Sequence, residues 1–556
     1  MANKLPGPRE YPILGNILDA LAWTPEESFQ KYLRLIRRYS PTVRFWVGPY
    51  LIISLSDPRD LEILMNSEKC LGRERAKYLL DKYTLGDGLI PIGGEQWRIH
   101  RKFVISSFQY SHFESFVKVF NKNSAILTKC LTEASGDTNC IDIIQYLTRF
   151  AFDSVCETLM GVEMKSQERG EEKFIESVET FLSTATKIFL NPWLLSDAII
   201  RFTRHHKKMT ESVAYMNSFC SELIADKSRG YRERQKNAAL TNGPAERETP
   251  LLIEAFMQIM HGGECPFSKE EIVGELNYMI MAGMDTTATA LSFVMMLLGF
   301  HQDVQRRLQE ELDGIFGDEL ERPVSTEDLN NLKYTEQVIK ETLRLYPLVP
   351  FVPRTCTQDI PMKGYTIPKG CDVLFNIYSL HRNPEIYPNP DEFDPENFTL
   401  GRSKGRHPYG YVPFSGGMRR CVGHRYAMLQ MKVVIAHVLR RFDVRPVCDR
   451  EDMDRLGVHI FAWRESGKPF LEGERTNFPT PDRYSNLDIP VIGSLVSRES
   501  SALDHAATEA AIIVTSHPGL FDPTCNVPGH TTDREGRRKR THNSITKLNF
   551  RDTMLP

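Results

Sequence analysis

Apolar positions recur at three- and four-residue spacing from Ser106 to Lys129, and again from Ile141 to Leu159, which predicts two amphipathic helices. A longer apolar stretch, Tyr278 to Phe300, lies downstream of Ser268-Lys-Glu-Glu271. That tetrapeptide is a capping box and predicts a helix running from there to about Phe300. The run is long enough to cross a membrane, but Asp285 sits inside it and Glu275 and Asn277 just before it. A carboxylate at mid-bilayer is costly, so the stretch reads as the buried core helix of a large protein. Val338, Ile339, Thr342 and Leu343 form the core face of a shorter helix that Tyr346-Pro347 ends. Another helix is predicted from roughly His424 to Phe442. Phe181 to Phe202 is apolar enough to dip into a membrane or roof a pocket, a plain core helix being the simpler reading. Ser228 to Pro250 is polar, charged and poor in apolar residues, and reads as a mobile surface loop.

The two ends differ from this middle. Met1 to Gly15 is a proline- and glycine-rich, non-helical leader with no apolar run before it, so neither a signal peptide nor an anchor is expected there. Cys448 to Pro556 is rich in Pro, Gly, Ser, Thr, Asp and Arg, with Ala510 to Val514 as its only apolar run. It reads as a largely disordered tail. Its basic cluster Arg537-Arg-Lys-Arg540 suits a nuclear or nucleic-acid patch less well than a solvated tail.

Composition narrows the classes. The chain has 556 residues, 41% hydrophobic and 25% charged, an ordinary folded balance. A formal net charge of -3 gives no support for nucleic-acid binding as its main role. Eleven cysteines without a CxxC pair form no disulfide framework and suit a reducing, cytosol-facing compartment.

The most specific chemistry lies in Phe414-Ser-Gly-Gly-Met-Arg-Arg-Cys421-Val-Gly423, which fits F-x-x-G-x-R-x-C-x-G at every fixed position. A cysteine in a glycine-rich loop before a helix N-terminus is a good thiolate ligand, because backbone N–H groups and the helix dipole favour the anion. Gly416, Gly417 and Gly423 permit tight turns and the close approach of a flat ligand. Arg419 is placed to reach an anionic group on that ligand. The bland alternative is a buried structural cysteine. The whole pattern resembles the haem-binding loop of the cytochrome P-450 superfamily, in which the cysteine is the axial iron ligand. The resemblance implies a fold that is mainly α with smaller β-sheet regions (α+β), a long central helix over a haem and the Cys loop on the opposite face.

Other segments carry the same resemblance. Ala282-Gly283-Met284-Asp285-Thr286-Thr287 is similar to the superfamily's oxygen-binding signature. There Thr286 would support proton delivery to activated dioxygen and Asp285 would feed protons in. On the residues alone, Gly283 would let a small molecule approach the helix, and the threonine hydroxyls would loosen it. Glu341-Thr-Leu-Arg344 places a carboxylate and a guanidinium on one helix face. It resembles the superfamily's structural ion pair. The later segment Pro395-Glu396-Asn397-Phe398 has Asn397 where arginine is common, so a buried pair would need other partners. Trp97 and Arg101, at i, i+4, resemble the pair that grips one haem propionate, and Arg354 the arginine that approaches the other. Trp97, Arg101, Arg354 and Arg419 are then four separated donors for two carboxylates.

The resemblance spans roughly Lys4 to Val447 and is nearest to family 4 and its relatives, with an arthropod-like cast. Its local marks are Gly86-Asp-Gly-Leu89, Arg406-His-Pro-Tyr409 and Tyr426 to Lys432. It divides the chain into a leader, residues 1–20, a haem-thiolate monooxygenase domain, 21–447, and a tail, 448–556. Many family 4 members carry a haem-linking glutamate where this chain has Ala282, so a non-covalent haem b is expected. The implied reaction inserts one oxygen atom of O2 into an apolar substrate that is fatty-acid-like, a hydrocarbon, hormone-like or xenobiotic. No flavin or nicotinamide motif is present, so electrons would come from NADPH through a reductase, with cytochrome b5 as a further donor. Arg98, Arg101, Lys102, Arg420, Arg425 and Lys432 are candidates for a basic docking face. A monomer on the cytosolic face of the endoplasmic reticulum membrane is expected, with the anchor missing from this chain. The rival readings are a reductase-independent enzyme that rearranges peroxides, and an inactive haem-binding splice product.

Overall fold

The structure is a computed structural model. It describes residues 5–11, 15–16, 25–48, 50–73, 85–137, 141–170, 173–190, 200–241, 251–263, 265–446, 511–516 and 546–549. Its principal helices are α1 (Pro25–Tyr39), α2 (Pro58–Met65), α3 (Gly94–Ser106), α4 (Phe113–Asp137), α5 (Ile143–Val155), α6 (Lys173–Leu190), α7 (Arg204–Thr241), α8 (Leu252–Gly262), α9 (Lys269–Phe300), α10 (Gln302–Phe316), α11 (Lys333–Leu345) and α12 (His424–Leu439). The mainly helical class with small sheets is the observed one.

Helix α9 is the axis of the molecule. Ser268 opens it: its hydroxyl accepts from the Glu271 N–H at 3.1 Å, and the Glu271 carboxylate accepts from the Ser268 N–H at 2.7 Å. The helix then runs unbroken for 32 residues and packs against α5, α7, α11, α12 and strand β7 (Phe442–Pro446). Burial inside the protein along most of its length is what its apolar sequence serves. The loosening expected at Asp285-Thr286 is absent from the backbone. The Thr286 hydroxyl donates back to the Ala282 carbonyl at 2.7 Å inside a regular helix.

A four-stranded sheet flanks the helices in the order β1 (Thr42–Val47), β2 (Tyr50–Leu55), β6 (Asp372–Asn376), β3 (Phe351–Thr355). Strand β6 runs parallel to β2, with Ile53 opposite Val373, and antiparallel to β3, with Arg354 opposite Val373. Alternation along β3 buries Val352 and Arg354 on the same face. The leader is tied to β1: Pro6 O accepts from Arg44 N at 2.8 Å, and Asn16 exchanges bonds of 2.7 and 2.9 Å with Trp46. Strands β4 (Ile360–Met362) and β5 (Tyr365–Ile367) form a hairpin.

Two expectations change. Residues 228–241 are the last turns of α7, not a loop. The segment is charged, but Arg, Gln, Lys and Ala are good helix formers, and a solvent-facing helix needs no apolar stripe along its outer end. The remainder of that predicted loop lies outside the described residues. Within the expected tail, Ala511–Ser516 and Thr546–Asn549 form strands β8 and β9, in a sheet ordered β7-β8-β9. Strand β8 coincides with the tail's one apolar run, and β7 begins at Phe442, where the preceding helix had been expected to end. The basic cluster at 537–540 lies outside the described residues.

Candidate active site

Loop 414–423 is built by backbone geometry. Ser415 and Gly417 both adopt the left-handed conformation, at φ 59° and 61°. A side chain at Gly417 would strike the Met65 carbonyl at the end of α2, and one at Gly416 would meet the Tyr409 ring at 2.8 Å. These two glycines therefore serve the seating of the loop on α2. Gly423 differs: a Cβ there would meet nothing nearer than 3.9 Å, so protein packing does not demand glycine. The Cys421 N–H donates to the Phe414 carbonyl at 2.9 Å, and the Phe414 ring meets His424 edge-on.

Cys421 borders open space and is also deep among the surrounding chain. Burial pushes its thiol up, opposed by the Gly423 N–H and the charges of Arg101 and Arg420. The Gly423 N–H thus acts in the expected direction, against a larger desolvation. A metal cation at the sulfur would reverse the balance, since a coordinating thiol is deprotonated outright.

Above this loop stands a stack of cations. The Trp97 ring has the Arg419 guanidinium 4.7 Å from its centroid and that of Arg101 at 5.5 Å. Arg101 also donates to the Arg420 carbonyl at 2.8 Å, which fastens α3 to the Cys loop. Arg419 donates to the Ile92 carbonyl. Arg354 is buried, and its charge is held well below the usual guanidinium range by desolvation and by the charges of Arg73 and Arg419. No carboxylate pairs with Arg73 or Arg354 among the described residues. Buried cations facing one another are costly unless an anion neutralises them. This donor set therefore fits a flat group with carboxylates on one edge and a metal above Cys421.

Helix α3 is fixed to α9 by contacts that the sequence reading did not foresee. Gln96 and His100, one turn apart, face Glu271 and Glu275, also one turn apart. The Gln96 amide donates to Glu271 at 2.7 Å, and His100 Nδ1 lies 2.9 Å from Glu275 Oε2. Glu275 also accepts from Leu89 N at 2.8 Å; burial pushes its carboxyl up, and His100 and Leu89 pull it back. The matching i, i+4 spacings were the signal. The Gly86-Asp-Gly-Leu89 segment crosses α9 here, where a Cβ on Gly274 would meet Gly86 at 2.8 Å.

Along α9, residues 272–281 and 287–299 are buried, while Ala282, Gly283, Asp285 and Thr286 are partly open. The open patch thus coincides with the predicted oxygen-binding residues. Gly283 is corrected in part: a Cβ there would meet Val155 Cγ2 at 2.8 Å, so its missing side chain admits α5.

Glu341 and Arg344 are fully buried and joined by two hydrogen bonds of 2.7 Å. Asn397 supplies what the absent arginine would: its amide donates to Glu341 at 3.1 Å, beside the Asp394 N–H at 2.8 Å. Arg344 donates to the carbonyls of His381, Pro390 and Glu392. His381 in turn accepts from Val412 N at 2.9 Å, which links the pair to the Cys loop.

The basic face is smaller than expected. Lys432 is buried, bonded to Glu336 at 2.7 Å and to the Leu329 carbonyl. Arg98 is held by Glu68 and Glu95. Lys102, Arg420 and Arg425 remain exposed, the last two lining a depression of about 770 Å³ beside Tyr110 and Met428.

The cytochrome P450 family model matches residues 5–467, extending past residue 447. Cytochrome P450 4d2 of Drosophila melanogaster is 32% identical over 452 residues, 80% of this chain and 89% of that protein. Human cytochrome P450 4V2 is 31% identical over 475 residues, 84% of this chain and 89% of its own. Cytochrome P450 4c21 of Blattella germanica is 31% identical over 457 residues, 81% and 90% of the two chains. A thiol loop, a buried arginine cluster and an open patch on the central helix thus occur in a chain that belongs to the cytochrome P450 family of haem-iron monooxygenases.

Proposed function

We propose that the chain hydroxylates an extended apolar molecule, fatty-acid-like or hydrocarbon, using NADPH-derived electrons from a reductase. The observation that carries this is the partly open patch Ala282, Gly283, Asp285, Thr286 on an otherwise buried helix. Small and polar side chains there leave room for a substrate beside a proton source, with buried methionines and leucines around them. The family 4 resemblance favours a lipid chain over a compact polar substrate.

When bound, the haem iron would activate dioxygen for insertion of one oxygen atom into a substrate C–H bond. Cys421 would hold the metal, and Trp97, Arg354 and Arg419 the carboxylate edge. Phe414 and Gly423 would lie against its cysteine side, Ala282 and Gly283 against the other. Arg101 holds the loop carbonyl at residue 420. Thr286 keeps its hydroxyl proton on the Ala282 carbonyl and can turn it toward a nearer acceptor, Asp285 resupplying it. With Ala282 in place of a glutamate, non-covalent haem b follows.

Lys102, Arg420 and Arg425 form the surface that an acidic reductase, or cytochrome b5, would meet. Residues 21–447 with the following strands would act as one monomeric unit at the cytosolic face of the endoplasmic reticulum membrane. The test is turnover of a fatty-acid, hydrocarbon and xenobiotic panel with reductase and NADPH. Hydroxylated lipid that disappears in Thr286→Ala, with NADPH consumption retained, supports the reading. Peroxide rearrangement without reductase, or no turnover of any substrate by haem-loaded protein, contradicts it.

A further inference from the structure

We propose that Cys70 and Cys356 are a site of oxidative modification, a thiol pair that hydrogen peroxide closes into a disulfide clamping the segment after α2 to strand β3. The inference stands apart from the haem reading above.

Two short runs of chain hold the pair. Thr355 N donates to Gly72 O and Thr357 N to Lys69 O, both at 2.8 Å. Cys70 and Cys356 lie inside that frame. On its other side, Cys356 N donates to the Cys371 carbonyl at 2.9 Å, and Gly370 N donates to the Cys356 carbonyl at 2.7 Å. Both backbones are thus fixed where residues 286 positions apart meet, with Cys356 Sγ donating to Cys70 Sγ at 3.7 Å. Cys371, the third cysteine of the cluster, turns its thiol to the carbonyls of Leu51 and Asp372 instead, at 3.6 and 3.3 Å.

The geometry assigns different roles to the two sulfurs. Its hydrogen bond to Cys70, with burial, pushes the Cys356 thiol up, so Cys356 keeps its proton and Cys70 is the sulfur attacked. In the first step a Cys70 lone pair takes one peroxide oxygen. The O–O bond breaks, and the other oxygen leaves as water with the thiol proton. In the second step Cys356 sulfur attacks the resulting sulfenic acid. The S–S bond forms, the S–O bond breaks, and the hydroxyl leaves as water with the Cys356 proton. Each sulfur loses one electron, and the peroxide gains two. The Cys356 S–H is already directed at Cys70, as the second step requires. Both cysteines are only 1% exposed. Burial therefore shuts out bulky thiols that would form mixed disulfides, whereas hydrogen peroxide is hardly larger than water. In a reducing compartment such a bond is transient and sensing.

The full chain, with its cofactor bound, is treated with hydrogen peroxide and quenched with catalase. Remaining thiols are alkylated in denaturant, and the tryptic peptides are weighed. Trypsin places the three sulfurs in separate peptides, residues 70–73, 355–363 and 370–382. The expected product joins 70–73 to 355–363, with both thiols lost, Cys371 still alkylated, and full reversal by dithiothreitol. Relative to Cys356→Ser treated alike, oxidation should raise the melting temperature, because the cross-link restricts the unfolded chain. Cys356→Ser should instead leave a Cys70 sulfenic acid that dimedone captures. A disulfide through Cys371, sulfinic acid at Cys70 without a cross-link, or no rise in melting temperature overturns the proposal. So does an unmodified pair at a dose that oxidises the partly exposed Cys265. If Cys356→Ser does not fold, Cys356→Ala serves, and the wild-type peptide map decides by itself.

Discussion

Two buried arginine sites in this chain use the same side chain for opposite purposes. Arg344 is complete: Glu341 neutralises it, Asn397 and the Asp394 N–H satisfy the carboxylate, and three carbonyls take its remaining protons. Among the described residues, Arg73 and Arg354 have no such closure: their guanidiniums meet the Ile90 and Pro353 carbonyls, and the charges of Arg73 and Arg419 disfavour that of Arg354. A closed polar network holds a fold, whereas an open set of like charges marks a place for something else.

Glu341→Gln is the severest way to break the contrast. It strips the charge from a fully buried pair and should cost about 3–5 kcal/mol, with or without haem, in urea unfolding. Arg354→Met should behave oppositely in the two states. The haem-free protein should be unharmed or stabilised, while haem retention falls about 10- to 100-fold, read by transfer to an acceptor globin. Equal destabilisation of both states by Arg354→Met would erase the distinction.

The next effect is acid sensitivity, in the closed network at His381 and, apart from it, at His437. His381 and His437 are buried neutral, each pulled down to about 3 by desolvation and by nearby arginine charges. Their folded values lie below the unfolded one, so their contribution is fully present above about pH 6.5 and is lost as pH falls toward 3. Each should add a slope of about 1.4 kcal/mol per pH unit in that window. His381→Asn should flatten the pH dependence of unfolding by that amount, and an unchanged slope would contradict the assignment.

Gly283→Ala is the mildest test near the open patch. The added methyl presses on Val155 and should cost about 1–3 kcal/mol in thermal unfolding. Reversal of Lys102 and Arg425 to Glu should slow reduction by the reductase and leave the absorption spectrum unchanged; unaltered reduction rates would remove the docking face.

Legibility in the sequence followed locality. The Ser268–Glu271 box announces α9 because every partner lies within one turn. The Cys421 loop is readable because its chemistry is contiguous, although Gly416 and Gly417 turn out to answer to Met65 and Tyr409. Asn397 is visible as a departure, but its bond to Glu341 depends on a fold that brings two distant segments together. Arg73 sits in Gly72-Arg-Glu-Arg75, a short charged stretch with no reading from the sequence alone. The bridge from Gly72 to Thr355 sets it beside Arg354 instead. Lys432 deceives in the opposite sense, since its long side chain passes inward to Glu336. The end of α7 was missed because polarity outweighed helix propensity in a segment that has both.

The central claim is that Cys421 binds porphyrin iron as a thiolate. Its most direct measurement is the reduced carbon-monoxide difference spectrum of the full chain beside Cys421→Ser. A strongly red-shifted thiolate-type Soret band in wild type, absent from the serine variant, is the expected result. A folded, haem-loaded wild type without that band, or a serine variant that keeps it, would contradict the account.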